Sequence, residues 1–221
     1  MIRFINFILL FWMFLCLTLK AETVSVFEFT EKEFGTLKVR KVIGAKGETK
    51  YSLGSNENGQ FLRAEAKGTA SGLGQKVKID LNKTPFINIT WKIEKDLKGI
   101  DEKTKKGHDF AARVFVVKKT GLTPLSNKAV NYVFSSNNSV NEFWRSPYTK
   151  SSVDYVLSTT KDNINEWVTV KANVKEHFKK LHDLDVEELS GVAIMTDTDQ
   201  TKIKAISYLS LIHISEPTRP Y

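Results

Sequence analysis

The chain has 221 residues, a formal charge of +8 and a single cysteine. One cysteine excludes an internal disulfide framework and a thiolate metal site, and the length suits one ordinary domain with a substantial core. The lysines are scattered singly along the chain, which argues against a nucleic-acid footprint and leaves solvated surface, or an anionic surface met outside the cell, as the meaning of the charge.

Arg3 precedes the apolar run Phe4–Leu19 (FINFILLFWMFLCLTL), after which Lys20, Ala21 and Glu22 begin a polar chain. This is the layout of a secretory signal peptide over residues 1–21, with cleavage expected after Ala21. The run is shorter than the roughly 20 residues of a spanning helix, so retention as an anchor is the alternative. Cys16 follows Trp12, Met13, Phe14 and Leu15 rather than small residues, so lipidation is not expected. Cleavage would remove the cysteine and two positive charges, leaving +6. The mature chain is expected in the periplasm or secreted, with no stable membrane span.

From Glu22 onward the dominant signal is period-two alternation in short runs bounded by Gly, Asn, Asp and Pro, the mark of half-buried strands. Strands are predicted at Val24–Phe29, Lys50–Gly54 and Gln60–Lys67, where Leu62, Ala64 and Ala66 share one face. Val77, Ile79 and Leu81 alternate in the same way, and Phe86–Ile93 (FINITWKI) sends Ile87, Ile89, Trp91 and Ile93 inward. Further strands are expected at Phe110–Lys118, Ala129–Ser135, Val153–Ser158, Glu166–Ala172, Gly191–Thr196 and Lys204–Tyr208. Only Val174–His182 (VKEHFKKLH) reads as a helix. Many short strands with turn signals and one helix predict an all-β chain, a single two-sheet β-sandwich of jelly-roll-like, galactose-binding-like form over residues 22–208. The long polar connections Glu94–His108 and Ser135–Ser152 are where ligand contacts are expected, because rigid scaffolds carry function on their loops.

Four stretches in this order carry a resemblance: GHDFAARVFVV (Gly107–Val117), VNYVFSS (Val130–Ser136), WVTVKANV with the helix after it (Trp167–His182) and GVAIMTDTDQT (Gly191–Thr201). Together they resemble the bacterial domain-of-unknown-function family 3047, small exported proteins, from about Val24 to Tyr208. The resemblance implies an export address and a fold, and no activity. Its members often carry two acidic residues where this chain has His108 and Asp109, and a second tryptophan where it has Ile89, so neither His108 nor Ile89 joins the candidate site.

Arginine is scarce in the predicted domain: Arg40, Arg63, Arg113 and Arg145. An arginine inside the apolar strand FAARVFVV suggests a planar fork for a carboxylate or phosphate. Asp109, four residues earlier, is placed on the same face by even spacing. The structural alternative is an ion pair from Arg113 to Asp197 or Asp199. Those two aspartates close the strand Val192–Met195 and suit an Asx-type turn, a Ca²⁺ site or an acid/base pair, the last needing carboxyls roughly 5–9.5 Å apart. Trp144, Arg145 and Tyr148 in NNSVNEFWRSPYT either stack on a sugar ring or fold back as a lid. Asn131, an amide within VNYVFSS, completes the candidate set. Trp91 and Trp167 are expected in the core, and His177 and His182, five apart on the helix, on the surface. No nucleophile elbow, P-loop or zinc-protease motif occurs.

Leu209–Arg219 (LSLIHISEPTR) resembles the translation of a transposon-end sequencing adapter. Residues 209–221 are therefore expected to be an artefact tail, with Leu209–Ile214 taking the place of the strand that closes the family's domain. The reading that follows is an exported, non-catalytic binding module for a carbohydrate or another envelope component, without a cofactor unless calcium sits at Asp197 and Asp199. A hydrolase acting on an envelope glycan through paired carboxylates and a structural subunit of an envelope assembly are the alternatives.

Overall fold

A computed structural model describes residues 22–57, 59–123, 126–161 and 163–217; the expected signal segment lies outside them. Thirteen strands and two short helices are described. They run β1 (Thr23–Phe27), α1 (Glu31–Phe34), β2 (Val39–Lys41), β3 (Lys50–Asn56), β4 (Gly59–Lys67), β5 (Ala70–Asp80) and β6 (Phe86–Lys95). Then follow β7 (Phe110–Lys118), β8 (Lys128–Ser135), β9 (Phe143–Arg145), β10 (Ser152–Thr159), β11 (Val168–Asn173), α2 (Val174–His182), β12 (Glu188–Asp197) and β13 (Lys204–Ser215).

The strands form two sheets. One has the order β11-β6-β13-β4-β3 with β1 paired to the far end of β13, and the other runs β2-β5-β12-β7-β8-β10-β9. Within the second, β8 and β10 are parallel and the remaining pairs antiparallel. The fold class expected from alternation is the one observed, a jelly-roll β-sandwich.

Inward residues of both sheets make one core. Leu62, Ala64 and Ala66 of β4, Ile87, Ile89, Trp91 and Ile93 of β6, and Val114 and Val116 of β7 are wholly buried, as their alternation requires. Each large side chain so buried stabilises the fold by about 1.5–3 kcal/mol relative to exposure. Trp91 reaches across to the other sheet, its indole N–H donating to Ser158 Oγ at 3.1 Å. The helix α2 has the bounds its sequence predicts. Asn173 caps its start through a bond from Glu176 N at 3.1 Å, Asp183 ends it in a left-handed conformation, and Val174, Phe178 and Leu181 face the core.

Some expectations change. The strand predicted to reach Phe29 stops at Phe27, because Thr30 and Glu33 begin the short α1: Thr30 Oγ1 accepts from Glu33 N, and the Glu33 carboxylate accepts from Phe29 N at 2.7 Å. Trp167 is not core. It precedes β11 and lies half-buried on the outer face of the six-stranded sheet against Phe61 and Tyr208. Nor are the helix histidines free surface groups: His177 Nδ1 meets Tyr132 Oη at 3.1 Å, and His182 Nε2 bonds to the Ala129 carbonyl at 2.9 Å. The strand β13 runs to Ser215, with Ile212 and Ile214 buried and paired to β6 and β1. Among the described residues no helix is long and apolar enough to cross a membrane.

Candidate functional site

The outer face of the seven-stranded sheet carries the polar side chains. On β8, Val130, Tyr132 and Phe134 point into the core, so Asn131 points out; on β10, Val153 and Tyr155 point in, so Asp154 points out. Asn131 and Asp154 are register partners on parallel strands. Asn131 Nδ2 donates to Asp154 Oδ1 and to Ser152 Oγ, both at 2.8 Å, while the other carboxylate oxygen, Asp154 Oδ2, lies 2.8 Å from His108 Nε2. With both N–H bonds of the amide committed, Asn131 Oδ1 is turned away from Asp154.

Arg113 reaches the same face through a bulge. Arg113 pairs with Met195 and Phe110 with Asp197, so three steps on β7 match two on β12. The bulge lets Phe110 and Arg113, an odd number apart, share the outer face. The guanidinium stacks between the Phe110 and Phe115 rings, 5.0 and 5.3 Å from their centroids, and donates from Nη2 to Asp197 Oδ2. Asp197 Oδ1 accepts from Phe110 N at 3.3 Å. Burial first, and then Asp109 and Asp199, push the Asp197 carboxyl up to about 8, against the opposing pull of Arg113. The ion pair to Asp197, weighed as the structural alternative, is present.

Asp109 departs from its expected place. It precedes β7, the bulge breaks the even spacing to Arg113, and its carboxylate is wholly buried. It accepts from Gln200 N at 3.2 Å and from Thr201 N and Oγ1 at 2.7 Å, so it is Asp109 that organises the turn after β12. One oxygen each of Asp109, Asp197 and Asp199 lie within 4.8 Å of one another. Two of these three carboxylates hold the Arg113 fork and the turn after β12.

These groups border a cleft of about 320 Å³ whose lining includes His108, Arg113, Asn131, Tyr148, Asp197 and Asp199. Arg113 is 5% exposed and Asn131 2%. Among the described residues neither Arg113 Nε nor Asn131 Oδ1 has a hydrogen-bond partner. One is a donor and the other an acceptor, on side chains that line the same cleft. Tyr148, 52% exposed, forms a wall; its hydroxyl donates to the Lys105 carbonyl at 3.0 Å and its ring meets His108 edge-on at 5.5 Å. Ile43 stands fully exposed at the mouth.

The two long loops supply His108, Ser146, Tyr148 and Thr149 to this rim. Buried Glu102 ties them together, accepting from Ser135 Oγ, from Ser136 N at 2.7 Å and from Asn138 Nδ2 at 2.7 Å. Of the predicted residues, the cleft gathers Arg113, Asn131, Asp197 and Asp199, with Asp109 buried behind. Trp144 and Arg145 fall outside its lining. Trp144, on β9, stacks over Phe110 at 6.5 Å and packs on a small cluster with Val133 and Val156, so it is the lid of its two readings. Arg145 bonds to the carbonyls of Lys150 at 3.0 Å and Leu181 at 3.4 Å. Sequence reasoning left out His108 and Asp154. Asp154 carried a legible signal, a carboxylate in the middle of an apolar strand, but its partners become visible only once β8 and β10 lie side by side.

Residues 36–213 match the model of the family described as protein of unknown function, DUF3047. No curated protein matches the chain. Among solved structures, it is similar to the family 30 carbohydrate-binding module of a cellulosomal cellulase of Clostridium thermocellum, at 10% identity and a TM-score of 0.52, over 90% of this chain and 99% of that one. It is also similar to a further structure of a family 30 carbohydrate-binding module, at 8% identity and a TM-score of 0.50, over 90% of this chain and 91% of that one. At such identities the likeness is one of fold.

Proposed function

The chain belongs to the DUF3047 family of proteins of unknown function, and from that footing we propose that it is an exported, non-catalytic binding module for a carbohydrate of the cell envelope. The cleft over β7, β8 and β12 is its binding site. The observation that carries the reading is the pair of unpartnered buried atoms, Arg113 Nε and Asn131 Oδ1. A buried polar group without a partner costs about 1–3 kcal/mol; both atoms are closed to solvent as the side chains stand, and a small rotation of each side chain relieves the cost on a ligand that offers both a lone pair and a proton. A sugar hydroxyl offers both. Carboxylates and phosphates at neutral pH supply acceptors alone, and the neighbouring Asp199 opposes them. Tyr148 adds an aromatic wall of the kind that stacks on a sugar ring. His108 and Asp154 act as positioning residues that hold the Asn131 amide in its orientation.

A glycan array followed by calorimetric titration tests this. Wild type is expected to bind an uncharged glycan, and Tyr148→Ala and Asn131→Ser are each expected to weaken it by about tenfold or more, the loss of one stacked ring or one buried hydrogen bond. Trp144→Ala is expected to leave affinity within about twofold. Binding to no glycan, or equal losses from Trp144→Ala and Tyr148→Ala, would overturn the assignment.

A further inference from the structure

Beside the polar cleft runs a second depression of about 250 Å³, and its character is different. Its floor is Gly72 on β5 with Ala193 and Met195 on β12, its edges are Phe115 and Val117 on β7 and Val42 after β2, and Arg40 and Lys41 of β2 stand at one end. Val42, Phe115 and Met195 border both spaces. The two therefore meet and form one path over β8, β7, β12, β5 and β2, which are neighbours in that order. At about 4.8 Å per strand the path is roughly 19 Å long.

Small residues keep the second part open. Gly72 lies opposite Met195 in register, and a Cβ there would come 2.8 Å from the Ile194 carbonyl oxygen, so β5 and β12 approach closely only with glycine at this point. Ala193 is half-buried beside it. The result is a shallow apolar floor with aliphatic and aromatic edges and two cations at its β2 end, adjoining a cleft lined by polar groups.

We infer that the site takes a linear, uncharged oligosaccharide of several units lying across the strands, rather than a single sugar or a chain end. The inference rests on the carbohydrate reading of the cleft. One unit sits over the Arg113 and Asn131 side chains, with Tyr148 at its side. The following units lay the C–H faces of their rings on Met195, Ala193 and Gly72, between Val42 and Val117. A pyranose chain has this double character, with polar ring edges and apolar ring faces, and burial of those faces adds affinity with every unit until the path is filled.

The test is a calorimetric titration of the full chain with β-1,4-linked gluco-oligosaccharides of one to six units. Affinity is expected to rise by at least about tenfold between one and four units and then level off. Ala193→Leu, which fills the floor, and Val117→Ser, which removes an apolar edge at a half-exposed position, are expected to abolish most of that gain while leaving single-unit binding and the unfolding midpoint near wild type. Single-unit binding that does not strengthen with length overturns the extended path and leaves the cleft reading standing. Binding at no length by a folded protein overturns both.

Discussion

The outer faces of the two sheets are built on different principles. On the six-stranded sheet, Phe61, Trp167 and Tyr208 form a trio of rings with centroids 5.5–6.2 Å apart, and Lys92 Nζ sits 4.4 Å over the Tyr208 ring. Glu65 there is held by Lys204 at 2.8 Å and Arg63 at 2.7 Å, which together lower its carboxyl to about 2. Even the backbone is committed: a Cβ on Gly54 would lie 2.5 Å from the Phe61 ring. The seven-stranded face has deeper polar groups, and three of its buried atoms go unanswered, Arg113 Nε, Asn131 Oδ1 and Trp144 Nε1. Unpartnered buried atoms occur on both sheets, His213 Nδ1 of β13 among them, but Arg113 Nε and Asn131 Oδ1 belong to side chains that line one cleft.

The largest expected contrast comes from the arginines. Above pH 8, where Asp197 is ionised, Arg113→Met leaves its buried carboxylate without the guanidinium and is expected to cost about 3–5 kcal/mol in urea unfolding, whereas Arg63→Met in the half-exposed pair costs at most about 1 kcal/mol. Adding Asp197→Asn to Arg113→Met should recover most of the loss. A single Arg113→Met variant as stable as wild type would show that the pair does not hold this face.

A smaller difference concerns pH. Burial lowers the His177 imidazole from 6.5 to about 4, so its contribution to stability is full above 6.5 and is lost as pH falls through 4. Asp197 runs the other way: raised from 3.8 to about 8, it contributes fully below 3.8, and that contribution fades as pH rises through 8. His177→Gln is expected to remove on the order of 1–2 kcal/mol of acid-side slope after screening by solvent, read from melting midpoints between pH 4 and 7. Asp197→Asn should flatten the slope between pH 4 and 8. Unchanged profiles in both variants would place the titration elsewhere.

The smallest effect is expected on the aromatic trio. Trp167→Ala should cost about 1 kcal/mol, the worth of its ring contacts at a half-exposed site, and leave glycan affinity unchanged. A binding loss there equal to that of Tyr148→Ala would move the functional face to the six-stranded sheet.

Much of this was legible in the residues themselves. The alternation in FINITWKI and QFLRAEAK follows from a period of two with one face in the core, and VKEHFKKLH shows its helical stripe through Val174, Phe178 and Leu181. The strands β2 and β9, three residues each and mostly exposed, carry no such pattern. The first half of β5 (ASGLGQK) hides among glycines and serine that the close approach of β12 requires.

By itself, then, the sequence determined the all-β class, the inward faces, the helix and the family, because each depends on local periodicity or on ordered motifs that one stretch of chain contains. It also singled out Arg113, Asn131, Asp197 and Asp199, together with Asp109, Trp144 and Arg145, which the structure leaves outside the cleft lining. Only tertiary structure decided what these residues do. A bulge of one residue turned Phe110 and Arg113 to a common face, parallel pairing set Asp154 between Asn131 and His108, and β9 drew Trp144 down onto Phe110 and out of the cleft. Register and sheet order come from contacts between residues far apart in the chain, and it was those contacts that left one donor and one acceptor unanswered in a single cleft.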